Sequence, residues 1–318
     1  MNIVITGVAG FIGSTLADKL LEKGHMVTGI DSIAGYYPER IKRANLAGLL
    51  LSPSFRFVEC DLIRADGAIP GNTDILFHIA GQPGVRSSWG SDFTHYIHNN
   101  IEATQFLLEQ VKRSGTLKKL IYASSSSVYG LFTELPLKET AVPHPVSPYG
   151  VSKLAAEHLC ASYSHNFGIP TVALRYFSVY GPRQRPDMGF HRFFKAAMRD
   201  DPITIYGDGT QTRDFTFVDD IVAGTIKAAF SELPDHYTVM NIGSGRRIML
   251  NDVLAMIPEI TGKPLDIRYE AVSKGDVTDT FADIGRARDH LSYSPATELF
   301  AGLTEQYRWM SANRDILL

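Results

Sequence analysis

Close to its start the chain reads Ile3-Val4-Ile5-Thr6-Gly7-Val8-Ala9-Gly10-Phe11-Ile12-Gly13. A short apolar run ends at Gly7, and a helical pattern runs from about Ile12 to Lys23. In this G-x-x-G-x-x-G spacing the first two glycines permit a tight turn close to a pyrophosphate, and the third lets the helix pack on the strand. A helix N-terminus attracts anions, so the stretch predicts a dinucleotide-binding turn. A plain strand–helix turn can carry the same glycines.

The second feature is an aspartate at the end of the next predicted strand, residues 27–30. Asp31 follows Gly13 by 18 residues. A carboxylate here accepts hydrogen bonds from adenosine ribose hydroxyls and repels a 2′-phosphate, which predicts NAD rather than NADP. The alternative for Asp31 is a solvated turn residue. Further on, Asp61 and Leu62 could flank the adenine, or Asp61 could be a capping residue.

Apolar runs and amphipathic segments alternate through the first half of the chain. We predict strands at residues 3–5, 27–30, 56–59, 74–80, 119–124 and 171–177, and helices at 12–23, 93–114 and 148–167. This alternation predicts an α/β fold with a doubly wound parallel sheet of the Rossmann type. Ligands of such a sheet bind at the carboxyl ends of its strands.

The character of the sequence changes after Tyr180. Residues 181–186 form a breaker-rich, basic loop, a helix is predicted at about 190–199, and Asn241-Ile242-Gly243 is expected to return to the sheet. We therefore predict two domains. An NAD-binding domain spans 1–178 with a return segment at about 214–243, and a smaller mixed α/β substrate lobe comprises 179–213 and 244–318.

The composition is that of a soluble globular enzyme. The chain has 318 residues, 44% hydrophobic and 20% charged, and a net charge of −3, which gives no general attraction to nucleic acid or acidic membranes. Cys60 and Cys160 form no CxxC or Cys/His cluster, so neither a disulfide scaffold nor a zinc site is predicted. No signal peptide or membrane-spanning run is recognised, and a cytoplasmic protein is expected.

Tyr149 and Lys153 stand four residues apart in Ser147-Pro148-Tyr149-Gly150-Val151-Ser152-Lys153. On a helix this spacing places both side chains on one face. A nearby ammonium stabilises a phenolate and is expected to lower the phenol pKa, so the pair predicts a base for an alcohol O–H. Beside a cofactor that takes a hydride, this is the chemistry of alcohol oxidation. The alternative is an ordinary pair on a helix surface.

Several motifs in order resemble the extended short-chain dehydrogenase/reductase family: Thr6–Gly13, Asp31, His78–Gly81, Ser124–Gly130, Tyr149–Lys153, Arg175–Met188 and Arg213–Phe215. The resemblance implies bound NAD and a nucleotide-sugar substrate. It makes Tyr149 the catalytic base, with Lys153 orienting the nicotinamide ribose and Ser125 bonding the sugar O4. The implied cofactor contacts are Gly7, Gly10, Phe11, Ile12, Gly13, Asp31, Asp61, Leu62, Ala80, Asn99, Tyr149 and Lys153.

The run Ser124-Ser125-Ser126-Ser127-Val128-Tyr129-Gly130 narrows the subgroup. Nucleotide-sugar dehydratases and UDP-glucuronate decarboxylases typically carry an acidic residue before the Tyr-Gly, and none stands here. The remaining reaction is 4-epimerisation. The segments 82–89 and 179–188 look most like those of UDP-glucuronate 4-epimerases, and Ser178 replaces the Asn usual in UDP-galactose 4-epimerases.

The same resemblance implies a set of substrate contacts. Arg185 would bind the sugar carboxylate through its two-pronged guanidinium, with Ser126 and Ser127 as neighbours. Its alternatives are a diphosphate contact or a surface ion pair. The other implied contacts are Arg86 as a second carboxylate candidate, Ser178, Arg213 on the UDP diphosphate and Asp276 on the uridine ribose.

Three alternatives stay open beside UDP-glucuronate 4-epimerase. One is a 4-epimerase of a neutral or N-acetylated UDP-hexose, and one is a UDP-glucuronate decarboxylase. The third is an NAD(H)-sensing regulatory protein with the same fold. The intact set of Ser125, Tyr149 and Lys153 argues against this alternative. The resemblance also implies a homodimer through the helices at about 93–114 and 148–167.

Overall fold

A computed structural model describes residues 1–64, 66–131, 134–271 and 277–317. Its strands are β1 (Asn2–Thr6), β2 (Met26–Asp31), β3 (Phe55–Glu59), β4 (Ile75–His78), β5 (Lys119–Ser125), β6 (Thr171–Tyr176), β7 (Ser178–Tyr180), β8 (Ile203–Tyr206), β9 (Thr212–Arg213), β10 (Phe215–Phe217), β11 (Tyr237–Ile242), β12 (Ile248–Met249) and β13 (Ile267–Glu270). Its α-helices are α1 (Phe11–Glu22), α2 (Glu39–Ala47), α3 (Phe93–Tyr96), α4 (Ala103–Ser114), α5 (Pro148–Phe167), α6 (Gly189–Arg199), α7 (Val218–Phe230), α8 (Leu250–Thr261), α9 (Gly285–Leu291), α10 (Leu299–Ala312) and α11 (Arg314–Leu317).

Seven parallel strands form the central sheet, in the spatial order β3-β2-β1-β4-β5-β6-β11. The four strands at its centre are apolar and almost wholly buried, as expected when both faces of a parallel sheet are covered. Helices α1 and α7 pack on one face, and α4 and α5 on the other. The predicted doubly wound sheet is confirmed. Residues 241–242 lie in β11, which pairs with β6.

The predicted helix at 93–114 differs in its middle. Between α3 and α4, residues Ile97–Glu102 form a π-helical segment, which widens the helix by one residue per turn. The side chain of Asn100 in this segment accepts from the Gln82 N–H at 2.6 Å and donates to the Ser152 hydroxyl at 2.8 Å. These bonds join the wide turn to the loop after β4 and to α5.

A second apolar cluster lies beyond the carboxyl ends of the strands. It gathers Tyr180, Phe190, Phe194, Phe217, Val253 and Leu303 from β7, β10, α6, α8 and α10. Short strand pairs, β8 with β13 and β9 with β12, complete this part. Helix α9 instead packs on the sheet, where Ala287 and Leu291 join the main core. None of the helices in the described ranges is both long and apolar enough to cross a membrane.

A buried ion pair connects three elements below the site. The Arg175 guanidinium in β6 donates to both carboxylate oxygens of Glu157 in α5, at 3.2 and 2.6 Å, and both side chains are about 4% exposed. The Ser124 hydroxyl at the end of β5 donates to the same carboxylate at 2.7 Å. The pair therefore holds α5 against β5 and β6.

Replacing Glu157 by Gln leaves the Arg175 guanidinium buried without an anion. We expect the free energy of unfolding to fall by about 3 kcal/mol in urea denaturation, because an uncompensated buried charge is costly. The double variant Glu157→Gln/Arg175→Met should recover part of the loss. Asp66→Asn is the matched control, because Asp66 pairs with Arg113 where both side chains are more than half exposed. A Glu157→Gln protein as stable as this control would refute the expectation.

Candidate functional site

A cavity of about 460 Å³ lies at the carboxyl ends of the parallel strands. Its volume is in the range of small-molecule sites. All twelve residues predicted to bind the cofactor line it: Gly7, Gly10, Phe11, Ile12, Gly13, Asp31, Asp61, Leu62, Ala80, Asn99, Tyr149 and Lys153. The predicted Ser125, Ser126, Ser127, Ser178 and Arg185 line it as well.

The glycine turn has the close backbone approach that the sequence predicts. Gly7 has φ of +73°, and a Cβ there would lie 2.7 Å from the Ala80 nitrogen. A Cβ on Gly13 would clash with the Gly7 carbonyl oxygen. Because Gly13 has no side chain, helix α1 can begin this close to strand β1. Gly10 is the N-cap of α1 and has no side chain to cap it. The first-turn N–H groups therefore face the cavity as an anion site, which fits a pyrophosphate.

Asp31 is held by the backbone and by a lysine. Its carboxylate accepts from the Ala9 N–H at 3.1 Å and the Ile33 N–H at 2.8 Å. Lys42 Nζ lies 3.4 Å from the same carboxylate, and Lys42 also lines the cavity. Lys42 is not predictable from the sequence, because no motif links it to Asp31 across the loop into α2. The positive charge offsets the carboxylate that was expected to repel a 2′-phosphate.

His98 is a further residue near this end of the cavity. Its Nε2 lies 2.9 Å from an Asp61 carboxylate oxygen and its Nδ1 lies 3.2 Å from Glu102. These two carboxylates raise the pKa of His98, the Asp61 hydrogen bond having the larger effect. Asp61 lies 37 residues before His98, so only the fold brings these two side chains together. The imidazole restrains the predicted adenine contact.

Helix α5 presents Tyr149 and Lys153 to the cavity. The Ser147 hydroxyl caps the helix by accepting from the Gly150 N–H at 3.1 Å, and Pro148 occupies the first turn. Lys153 Nζ donates to the Ala123 carbonyl at 2.8 Å. Ser125, at the end of β5, accepts from the Ser127 N–H at 3.1 Å. The three predicted catalytic side chains thus come from two elements, β5 and α5, that meet at the carboxyl ends of the strands.

The electrostatics of this trio differ from the expectation. Burial raises the pKa of Tyr149 above its ordinary value, while the Ser125 hydroxyl and the Arg185 charge act to lower it. Burial also lowers the pKa of Lys153 to about 8. The predicted lowering of the Tyr149 pKa by the lysine is therefore wrong for the protein alone. The physical reason is that removing the phenolate from water outweighs the positive groups around it.

Arg185 lines the cavity but is already paired. Its Nε and Nη2 each lie 3.0 Å from an oxygen of Asp187, two residues further on. The Tyr36 hydroxyl, which also lines the cavity, donates to Asp187 at 3.3 Å. Neither Asp187 nor Tyr36 was singled out in the sequence, since their meeting depends on a loop contact between distant segments.

Two of the other predicted substrate residues, Arg86 and Arg213, are not among the residues that line the cavity. The Arg86 guanidinium stacks 4.1 Å from the centre of the Tyr206 ring, which joins the loop after β4 to β8. Arg213 donates to the carbonyls of Thr212, Val277 and Thr278. Asp276 lies outside the described residues. The diphosphate and uridine contacts remain predictions.

Fold and site together define a Rossmann-type nucleotide-binding enzyme, and comparison with known proteins gives its family. Residues 3–243 match the model of the NAD dependent epimerase/dehydratase family. The chain belongs to this family, and the predicted family is thereby confirmed.

Relatives match over nearly the whole chain. A solved UDP-glucuronic acid 4-epimerase from Bacillus cereus, in complex with UDP-glucuronic acid and NAD, is 44% identical with a TM-score of 0.95, over 98% of this chain and 99% of that one. A Bacillus subtilis (strain 168) protein named an uncharacterized UDP-glucose epimerase is 43% identical over 98% of both chains. A UDP-glucuronate 4-epimerase from Thermodesulfobacterium geofontis is 37% identical over 99% of this chain and 97% of its own.

Lys42 gives a test of cofactor choice. Replacing Asp31 by Ser removes the carboxylate and frees the Lys42 ammonium to pair with a 2′-phosphate. We expect the affinity for NADP relative to NAD to rise at least about tenfold, as measured by isothermal titration calorimetry on cofactor-stripped protein. The double variant Asp31→Ser/Lys42→Met is the control and should lose this gain. An unchanged ratio in Asp31→Ser would show that Lys42 does not reach the adenosine ribose.

Proposed function

We propose that this protein is an NAD-dependent 4-epimerase of UDP-sugars that interconverts UDP-glucuronate and UDP-galacturonate. The carrying observation is the cavity that brings Ser125, Tyr149, Lys153 and Arg185 to the end of the dinucleotide-binding sheet. The high similarity to a UDP-glucuronic acid 4-epimerase supports the choice of sugar.

The proposed reaction begins with proton removal from the sugar O4–H by Tyr149, with Ser125 in the hydrogen-bond path. Bound NAD, held by the glycine turn and Asp31, supplies the acceptor for the C4 hydride. The sugar, now a 4-ketone, turns about its link to the diphosphate and presents its other face. The hydride returns to that face and Tyr149 returns the proton to O4, so there is no net oxidation.

The raised pKa of Tyr149 sets a requirement for this step. A buried phenol is a poor base unless positive charge stabilises its anion. Arg185 already lowers the pKa of Tyr149, and the Lys153 ammonium lines the same cavity. We assign Lys153 to hold positive charge in this low-dielectric site, where each ion acts more strongly than in water.

The acidic residues along the cavity support epimerisation over dehydration. Among the described residues that line it, the acidic ones are Asp31, which ends β2, and Asp61, which follows β3. In the sheet, β1 and β4 separate β2 from β5, the strand that ends in Ser125. No carboxylate of the described lining therefore stands where Tyr149 and Ser125 meet, and a C5 proton has no acidic acceptor there.

The carboxylate of a glucuronate needs to be held during the reaction. The 4-ketone of a glucuronate is a β-keto acid and can lose carbon dioxide. We assign Arg185, with Ser126, Ser127 and Ser178, to hold the carboxylate so that rotation and reduction precede its loss. A guanidinium has five N–H donors, so pairing with Asp187 leaves donors for the sugar.

We also propose a cytoplasmic homodimer. Ile97, Val151 and Phe167, on the segments expected to form the interface, are 44%, 45% and 51% exposed. A second copy would cover these side chains. Cys60 and Cys160 are both free thiols, which suits a reducing compartment.

The direct test is product analysis by NMR after incubating the purified protein with UDP-glucuronate and no added cofactor. We expect UDP-galacturonate, since NAD is regenerated in each turnover and should co-purify. A UDP-pentose as the main product would mean that decarboxylation wins. Turnover of UDP-glucose or UDP-N-acetylglucosamine alone would keep the catalytic residues and reject the acidic sugar.

Replacing Arg185 by Ala tests the carboxylate assignment. We expect kcat/KM for UDP-glucuronate to fall about 100-fold, because a buried carboxylate loses its charged partner, and the share of UDP-pentose to rise. Arg199→Ala is the matched control, since Arg199 also pairs with an aspartate two residues on but is half-exposed. Full activity and clean product from Arg185→Ala would contradict the assignment.

A further inference from the structure

The Arg185 guanidinium offers two edges, and one is occupied within the protein itself. The side edge, Nε and Nη2, is bound by the two oxygens of Asp187 at 3.0 Å each. Nη1 makes no hydrogen bond to any of the described residues. Nη1 and the second hydrogen of Nη2 form the end edge, which can also bind a carboxylate with two parallel bonds.

The two partners of this pair differ in exposure. The Arg185 side chain is 20% exposed and that of Asp187 34% exposed, so the arginine, which lines the cavity, is the more covered partner and Asp187 stays open to solvent. Tyr36 holds Asp187 from the other side through its hydroxyl at 3.3 Å. The loop after β2 thus fixes the aspartate on the arginine.

A bound sugar would cover Arg185 further. The group at C5 of the sugar then determines the free-energy cost of removing the guanidinium from water. If Arg185 had no protein partner, a neutral hydroxymethyl group would leave a desolvated guanidinium without an anion, and the neutral sugar would be rejected. With Asp187 in place the guanidinium stays paired whichever sugar is bound. Asp187 also partly neutralises the charge of Arg185, so the guanidinium attracts an incoming sugar carboxylate less strongly.

We propose that Asp187 is a specificity-determining residue that lowers the preference of this site for an acidic over a neutral UDP-sugar. It acts through Arg185, which it keeps paired, and Tyr36 supports it. This inference rests on the proposed function, because it concerns the group at C5 of the same UDP-sugar. The chain is similar to a UDP-glucuronic acid 4-epimerase and to a protein named an uncharacterized UDP-glucose epimerase, which is in accord with a site that does not accept acidic sugars alone.

The test measures binding rather than turnover. Dissociation constants for UDP-glucuronate, UDP-glucose and UDP are determined by calorimetry on the NAD-loaded enzyme in a Tyr149→Phe background, so that the sugars are not converted. In Asp187→Asn we expect the ratio of the UDP-glucose to the UDP-glucuronate constant to rise about tenfold. Tyr36→Phe should move the ratio in the same direction by less.

Three controls separate this effect from a disturbed fold. The constant for UDP should stay within about twofold of the parent, since UDP lacks the sugar. Asp201→Asn, which breaks the exposed pair of the same spacing with Arg199, should leave the ratio unchanged. Adding Arg185→Ala to Asp187→Asn should abolish the change, because Asp187 acts through the arginine.

An unchanged or lowered ratio in Asp187→Asn overturns the inference, and so does a change that persists without Arg185. The product analysis decides the proposed function separately. If the parent enzyme converts UDP-glucuronate and the ratio does not move, only the inference fails. If the ratio rises but no UDP-galacturonate forms, the binding inference stands and the proposed function fails.

Discussion

The buried ion pair of Glu157 and Arg175 is the interaction on which the rest of the site depends. Helix α5 carries Tyr149 and Lys153, and β5 ends in Ser125, so the pair and the Ser124 bond to it fix one element against the other. The Arg175 guanidinium also stacks 4.7 Å from the Tyr129 ring, whose hydroxyl donates to Asn241 in β11. One charge pair thus reaches the helix and three neighbouring strands that frame the reacting end.

Burial is the common cause of the unusual acid–base properties in this protein. It raises the pKa of Tyr149, lowers that of Lys153 to about 8 and lowers that of His78 to about 3. His78 is a structural case, since its two nitrogens contact the hydroxyls of Thr6 and Thr104. Tyr149 and Lys153 instead line a cavity. Their burial shifts their pKa values, and shifted pKa values are typical of groups that transfer protons in enzymes.

Each end of the cavity carries a charge that is half of an ion pair. Asp31, beside the glycine turn, pairs with Lys42, and Arg185 pairs with Asp187. A single charge in a partly dry cavity would bind its opposite strongly and reject everything neutral. Pairing moderates both charges, and under the proposed function the selectivity for cofactor and sugar would depend on how much of each charge a ligand still contacts.

Local patterns in the sequence are sufficient to predict the strand–turn–helix unit, the alternation that makes a parallel sheet, and the helical spacing of Tyr149 and Lys153. These follow from local rules: glycine where no Cβ fits, apolar runs where both faces are covered, and one helix turn between two side chains. The tertiary structure alone sets four further features: the π-helical turn at Ile97–Glu102, the pairing of Lys42 with Asp31, the contact of Tyr36 with Asp187 and the pKa of Tyr149. Those properties depend on which distant segments meet and how much water they exclude, and neither quantity is written in the spacing of residues along a chain.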